Sequence, residues 1–181
     1  MLRTSSTRED RGREGRMRWT PAVMLGCLLV PWLLLSPVQV LSQDVPEIVD
    51  LLAGSWEGEG ELLGRPGDFS MTWDAREGGF LRLSFRNGWT ADDGTVTPVL
   101  AAEAVYHLRG DSGLGVWMDS RPQQLTLQAE LTDSSMVVLW TAAAETGRTE
   151  YVVRGDMAHV IDVVFVDGVE RPFAEASYRR R

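Results

Sequence analysis

From Gly54 onward, apolar and polar residues alternate. Phe69, Met71 and Trp73 alternate with Ser70, Thr72 and Asp74, and Leu125, Leu127, Ala129 and Leu131 with Thr126, Gln128 and Glu130. Leu100, Ala102, Ala104, Tyr106 and Leu108 likewise face away from Glu103, His107 and Arg109. A period of two gives a strand one dry face and one wet face, as in half-buried antiparallel sheets. Only Val45–Ala53 has helical spacing, with Ile48, Leu51 and Leu52 on one face and Gly54 as a stop.

Turn residues punctuate the runs at nine places: Gly64–Gly67, Glu77–Gly79, Asp92–Gly94, Gly110–Gly113, Arg121–Gln123, Asp133–Ser135, Glu145–Gly147, Gly155–Asp156 and Asp167–Gly168. Nine turns join ten strands. No segment is long enough for a helical crossover, so chain neighbours pair antiparallel. A ten-strand meander hides its edges most completely by closing on itself. The pattern predicts an all-β, ten-stranded, antiparallel up-and-down barrel preceded by a short N-terminal helix, with a two-sheet sandwich as the alternative.

Residues 1–42 read differently. Six arginines precede an apolar run from Pro21 to Leu35, and Val40 and Ser42 suit the small-residue positions of a cleavage site. This is the form of a signal peptide cut before Gln43, with Met17 as an alternative start. An uncleaved membrane anchor is the rival reading, although a span of about 20 residues would take in Pro31, Ser36, Pro37 and Gln39. The expectation is therefore an exported domain at 43–181, periplasmic or secreted. The absence of lysine and the abundance of glycine and alanine suggest a GC-rich bacterial genome.

Composition narrows the chemistry. With 44% hydrophobic and 24% charged residues, wholesale disorder is excluded. The chain has 18 Arg and no Lys, against 26 acidic residues, for a net charge of −8. Without the leader the excess of acid grows, which disfavours nucleic acid and anionic membrane surfaces as partners. Cys27 is the single cysteine, so neither a disulfide framework nor a cysteine zinc site is possible. Without lysine there is no Schiff-base chemistry. No Gly-x-Ser-x-Gly elbow and no His-Glu-x-x-His pair occurs. Asp92-Asp93-Gly94 reads as a turn, and the Arg-Gly-Asp tripeptides at 109–111 and 154–156 fit hairpin ends. No catalytic residue and no metal ligand set is predicted.

Leu52-Ala53-Gly54-Ser55-Trp56-Glu57-Gly58-Glu59-Gly60 places a Gly-x-Trp at the entry to the first strand, after a short helix. This resembles the calycin superfamily of lipocalins and fatty-acid-binding proteins. The extended Gly-x-Trp-x-Gly-x-Gly looks most like nitrobindin-type and bacterial lipocalin-like barrels, and Phe173–Arg180 is similar to their closing strand. The resemblance implies that Gly54, Trp56 and a last-strand arginine, placed at Arg179, form the barrel floor, the guanidinium stacking on Trp56. Gly58 and Gly60 would then follow Trp56 on the inner face, leaving space or letting the strand bend. It also raises haem, which nitrobindin-like proteins hold through a last-strand histidine. The matching position here is Glu175, an unusual ligand for haem iron, so no cofactor is expected.

Seven tryptophans is heavy for 181 residues. Aromatic residues lining the interior would favour a small apolar or amphipathic ligand. The ligand-binding candidates are Trp73, Arg82, Tyr106, Trp117, Trp140 and Tyr178. Arg82 enters only if a bulge reverses the strand that has Leu81, Leu83 and Phe85 inside, in which case it would hold a carboxylate. Trp117, Asp119 and Arg121 form either the polar end of a pocket or, more plainly, a solvated outer face. His159 alternates with Ile161, Val163 and Phe165 and is expected inside. The expected function is a monomeric, exported ligand-binding barrel without catalysis. The alternatives are a haem barrel with redox or isomerase activity, and a filled barrel serving as a protein-interaction module.

Overall fold

The computed structural model describes residues 45–181, so the expected leader and its cleavage site lie outside the described residues. Ten strands follow one helix: α1 (Ile48–Leu52), β1 (Gly54–Leu62), β2 (Arg65–Arg76), β3 (Phe80–Thr90), β4 (Val96–Arg109), β5 (Ser112–Asp119), β6 (Gln124–Leu131), β7 (Ser135–Thr141), β8 (Thr146–Arg154), β9 (Met157–Val166) and β10 (Val169–Arg180). Each strand pairs antiparallel with its chain neighbours, and β1 pairs with β10 to close the barrel, with Trp56 opposite Arg180 and Leu62 opposite Ala174. Closure leaves no free sheet edge. The predicted all-β barrel is thus the observed fold, and all nine turns join strands.

The helix is shorter than its apolar spacing suggested. Pro46 stands just before it, and Gly54, at φ +114°, turns the chain into β1. Ile48 and Leu52 are fully buried, so its five residues plug one end of the barrel. Trp56 packs beneath it and donates its indole N–H to the Leu52 carbonyl at 2.8 Å. The Arg180 guanidinium lies 4.3 Å from the Trp56 ring centroid and donates to the Leu51 and Ala53 carbonyls. One cation therefore stacks on the floor tryptophan and satisfies carbonyls that the helix end leaves open. The floor arginine is Arg180, not Arg179, because strand parity turns Arg179 out to solvent.

Gly58 is buried after Trp56 while Gly60 is exposed, and neither opens empty space. The Tyr178 ring fills the room at Gly58, where a β-carbon would stand 2.7 Å from Cδ1, and at Gly60 the backbone of β10 comes too close for any side chain. Phe69 meets Tyr178 edge-on at 6.1 Å. This half of the barrel, with Leu81, Leu83 and Met136 also fully buried, is a packed core. The other half is not filled.

Candidate functional site

The unfilled half contains a cavity of about 350 Å³. It opens at the end opposite α1, where the turns after β1, β3, β5, β7 and β9 lie. Its apolar wall comes from inward positions of successive strands: Phe85 of β3, Trp117 of β5, Leu125 and Leu127 of β6, Val138 and Trp140 of β7. Phe173 joins them because a register shift between Pro172 and Ala174 turns it inward, where it meets Trp140 edge-on at 6.3 Å. Phe85 and Trp117 lie 5.7 Å apart. The base of the cavity is formed by Tyr106 and Tyr151, which rest on Trp73 with centroid separations of 6.0 and 5.3 Å.

One acid lies inside this aromatic chamber. Asp162 of β9 stands opposite Thr149 of β8 and Ala174 of β10, and it accepts a hydrogen bond from the Thr149 hydroxyl at Oδ1. Among the described residues its other oxygen accepts none. Burial pushes the Asp162 carboxyl up to about 6, against the pull of the Thr149 hydrogen bond. Burial and the nearby Asp162 charge hold the Tyr106 phenol above its ordinary value. Tyr151 rises for the same reasons, with Tyr106 itself adding to its shift. Both phenols therefore remain protonated donors at neutral pH. Asn87, at the irregularity of β3, also lines the cavity, and its Oδ1 is buried without a partner among the described residues.

The mouth carries a second polar group. The Asp119 side chain is fully buried and accepts from the Trp117 indole N–H at 3.2 Å, from the Arg121 backbone N–H at 2.8 Å and from the Arg121 guanidinium at 2.7 Å. Burial acts to raise the Asp119 carboxyl, but these donors outweigh it and hold it below its ordinary value. Glu145 and Gln123 complete the rim. The Trp117-Asp119 face is thus the mouth of the pocket, not the solvated outer face expected of it. The inversion follows from β5, whose inner positions Gly113 and Gly115 admit the Leu108 and Tyr106 side chains while Leu114 and Met118 point to solvent.

Of the six ligand-binding candidates, Tyr106, Trp117 and Trp140 line the cavity together. Trp73 lies beneath it in the packed half, and Tyr178 is buried against Phe69 and Gly58. Arg82 is on the outer wall, as the inward set of Leu81, Leu83 and Phe85 requires, and it pairs with Glu103 at 2.9 Å. No bulge brings it inside. His159 is also on the outer wall, half-exposed and 3.2 Å from Glu175, because Ala158, Val160 and Asp162 take the inner positions of β9. Asp162, Thr149 and Tyr151 were not candidates from the sequence. A lone acid within the apolar run Val160–Val166 was the available signal for the first.

These placements bear on haem. The position implied by the resemblance, Glu175, faces solvent, and both histidines are on the outer wall, His107 stacked on Phe80 at 4.8 Å. The interior offers no imidazole among the described residues, so the donor set does not fit histidine-ligated haem. A polar depression of about 310 Å³ on the outer wall, around Ser55, Ser70, Thr72, Ser84, Arg86 and Arg181, has none of the enclosure or buried charge of the interior.

No family model matches the chain, and no curated protein matches it either. Among solved structures it is similar to the crystal structure of Rv2717c from M. tuberculosis, with 15% identity, a TM-score of 0.56, and coverage of 76% of this chain and 99% of that one. A redesigned beta barrel is matched at 13% identity with a TM-score of 0.39, covering 75% of this chain and 96% of that one. At this identity the likeness to Rv2717c speaks for the fold alone, which in this chain is a closed ten-stranded antiparallel barrel.

Proposed function

We propose that the protein is a ligand-binding barrel whose mouth half accommodates a small amphipathic molecule, and that it acts by binding and not by catalysis. The observation that carries this reading is the division of the interior. One half is packed to closure around Trp56, while the other keeps a 350 Å³ aromatic chamber with a few convergent polar groups. That volume is at the lower end of small-molecule pockets, roughly 300–1,000 Å³. The enclosed space argues against a filled barrel that works only through its outer wall. The leader-like residues 1–42 support an exported protein.

The test uses the neutral, apolar fluorophore N-phenyl-1-naphthylamine. Saturable enhancement of its emission is expected, with quenching of Trp117 and Trp140. Val138→Trp, which fills the cavity from an inner position, should abolish both signals while leaving the circular dichroism of the barrel intact. Unsaturable binding, or binding unaffected by Val138→Trp, would refute the reading. Native mass spectrometry of protein purified from its host should reveal a retained mass.

A further inference from the structure

The charges of the cavity specify more than apolarity. We infer that the site selects molecules carrying a protonated amine, with Asp162 as the counter-ion and the surrounding aromatic rings as its cage. This inference rests on the binding reading above and narrows the ligand class.

Asp162 has one oxygen held by Thr149 and one facing the cavity with no donor from the described residues. Arg121 is the cation at the rim, and Asp119 already engages its guanidinium. No other arginine lines the cavity, and Arg148 on the adjacent β8 is turned outward onto Glu150 and Glu170. A carboxylate entering the cavity would therefore meet an uncompensated acid and no free base among the lining residues. An ammonium would meet a half-buried acid that has no counter-ion among the described residues.

The walls add to this preference. Trp117, Trp140, Tyr106 and Tyr151 present rings around the space that Asp162 faces, and a cation over such a ring gains about 0.5–2 kcal/mol, with the larger value in a dry site. The groups facing Asp162 are Thr149 on β8, Tyr106 on β4, Tyr151 on β8 and Tyr178 on β10, with Glu145 and the Arg121–Asp119 pair at the mouth. The phenols stay neutral at physiological pH, so Asp162 is the group that titrates within the chamber, near pH 6.

Three matched probes decide the matter: 4-phenylbutylamine, 4-phenylbutanol and 4-phenylbutyrate, each titrated calorimetrically at pH 7. The amine should bind at least tenfold more tightly than the alcohol, and the butyrate most weakly. Asp162→Asn should bring the amine within about twofold of the alcohol, with the circular dichroism of the barrel unchanged as the sign that the variant is folded. Between pH 7 and pH 5 the amine should lose about tenfold in affinity as Asp162 takes up its proton, and the alcohol should lose none. A butyrate that binds as well as the amine, or an amine preference that survives Asp162→Asn, would overturn the inference. If none of the three binds but N-phenyl-1-naphthylamine does, the amine inference falls and the binding reading stands. If that neutral probe also fails, both fall.

Discussion

Asp162→Asn should make the protein more stable, by an amount that depends on pH. Folding moves the Asp162 carboxyl from an ordinary 3.8 to about 6 because burial disfavours its charged form. Between those values the native protein holds a proton that the unfolded chain has released. Stability is therefore lost as pH rises through this window and regained as it falls. The shift is roughly two units, and at about 1.36 kcal/mol per unit the ionised carboxylate costs the fold about 3 kcal/mol at pH 7. Asparagine has the same shape and its carbonyl can still accept from Thr149, so the exchange isolates the charge.

Urea unfolding at pH 7 should show Asp162→Asn more stable than the parent by about 2–3 kcal/mol, the lower figure allowing for an amide without a full set of partners. At roughly 3–4 °C per kcal/mol for a domain of this length, the melting temperature should rise by about 10 °C. Near pH 4 the gain should shrink to a few tenths of a kcal/mol, because the parent Asp162 is then protonated. An equal gain at both pH values would mean that packing is responsible. No gain at pH 7 would mean that water in the cavity solvates the carboxylate.

The barrel floor and the leader can be tested in the same preparations. Arg180→Ala removes the stack on Trp56 and the donors to the Leu51 and Ala53 carbonyls, and should cost about 2–4 kcal/mol in urea unfolding. Arg179→Ala, one residue earlier and exposed, should stay within about 0.5 kcal/mol of the parent. Comparable losses in the two would refute the floor assignment. For the leader, mass spectrometry of protein recovered from the host envelope or medium should find an N-terminus at Gln43, and a mass that retains residues 21–42 would favour the anchor instead.

The reading from sequence succeeds or fails strand by strand for a physical reason. β2 and β6 have strict alternation between apolar and polar residues, so parity alone orients Phe69, Met71, Leu127 and Leu131. β9 is apolar on both faces, Ala-His-Val-Ile-Asp-Val-Val-Phe-Val after Met157, and parity there has no contrast to work with. The choice of His159, Ile161 and Val163 as the inner set is off by one residue, which turns every side chain to the other face and hides Asp162. Val163 is nevertheless buried. On β5 the contrast is present but inverted, since glycines occupy inner positions and Leu114 and Met118 outer ones. The identity of the floor arginine depends on the register between β1 and β10, which puts Arg180, not Arg179, opposite Trp56. Register is a property of the closed barrel and cannot be read from either strand alone.

The two halves of the interior divide the work between them. Around Trp56 every inward position is filled, and Arg180 ties the last strand to the helix that plugs the end. Stability is concentrated there, which lets the opposite half hold an unfilled volume and an ionised acid, both of which work against folding. A valine at position 162 would serve the sheet better than aspartate does. What the carboxylate adds is directed into the chamber: a fixed negative charge behind aromatic rings, placed before any ligand arrives. A cation binding there would restore much of the free energy that the bare carboxylate costs, so ligand affinity and thermal stability should rise together by linkage. Stabilisation by a fixed concentration of 4-phenylbutylamine should therefore be greater in the parent than in Asp162→Asn, by at most about 1.4 kcal/mol for a tenfold difference in affinity.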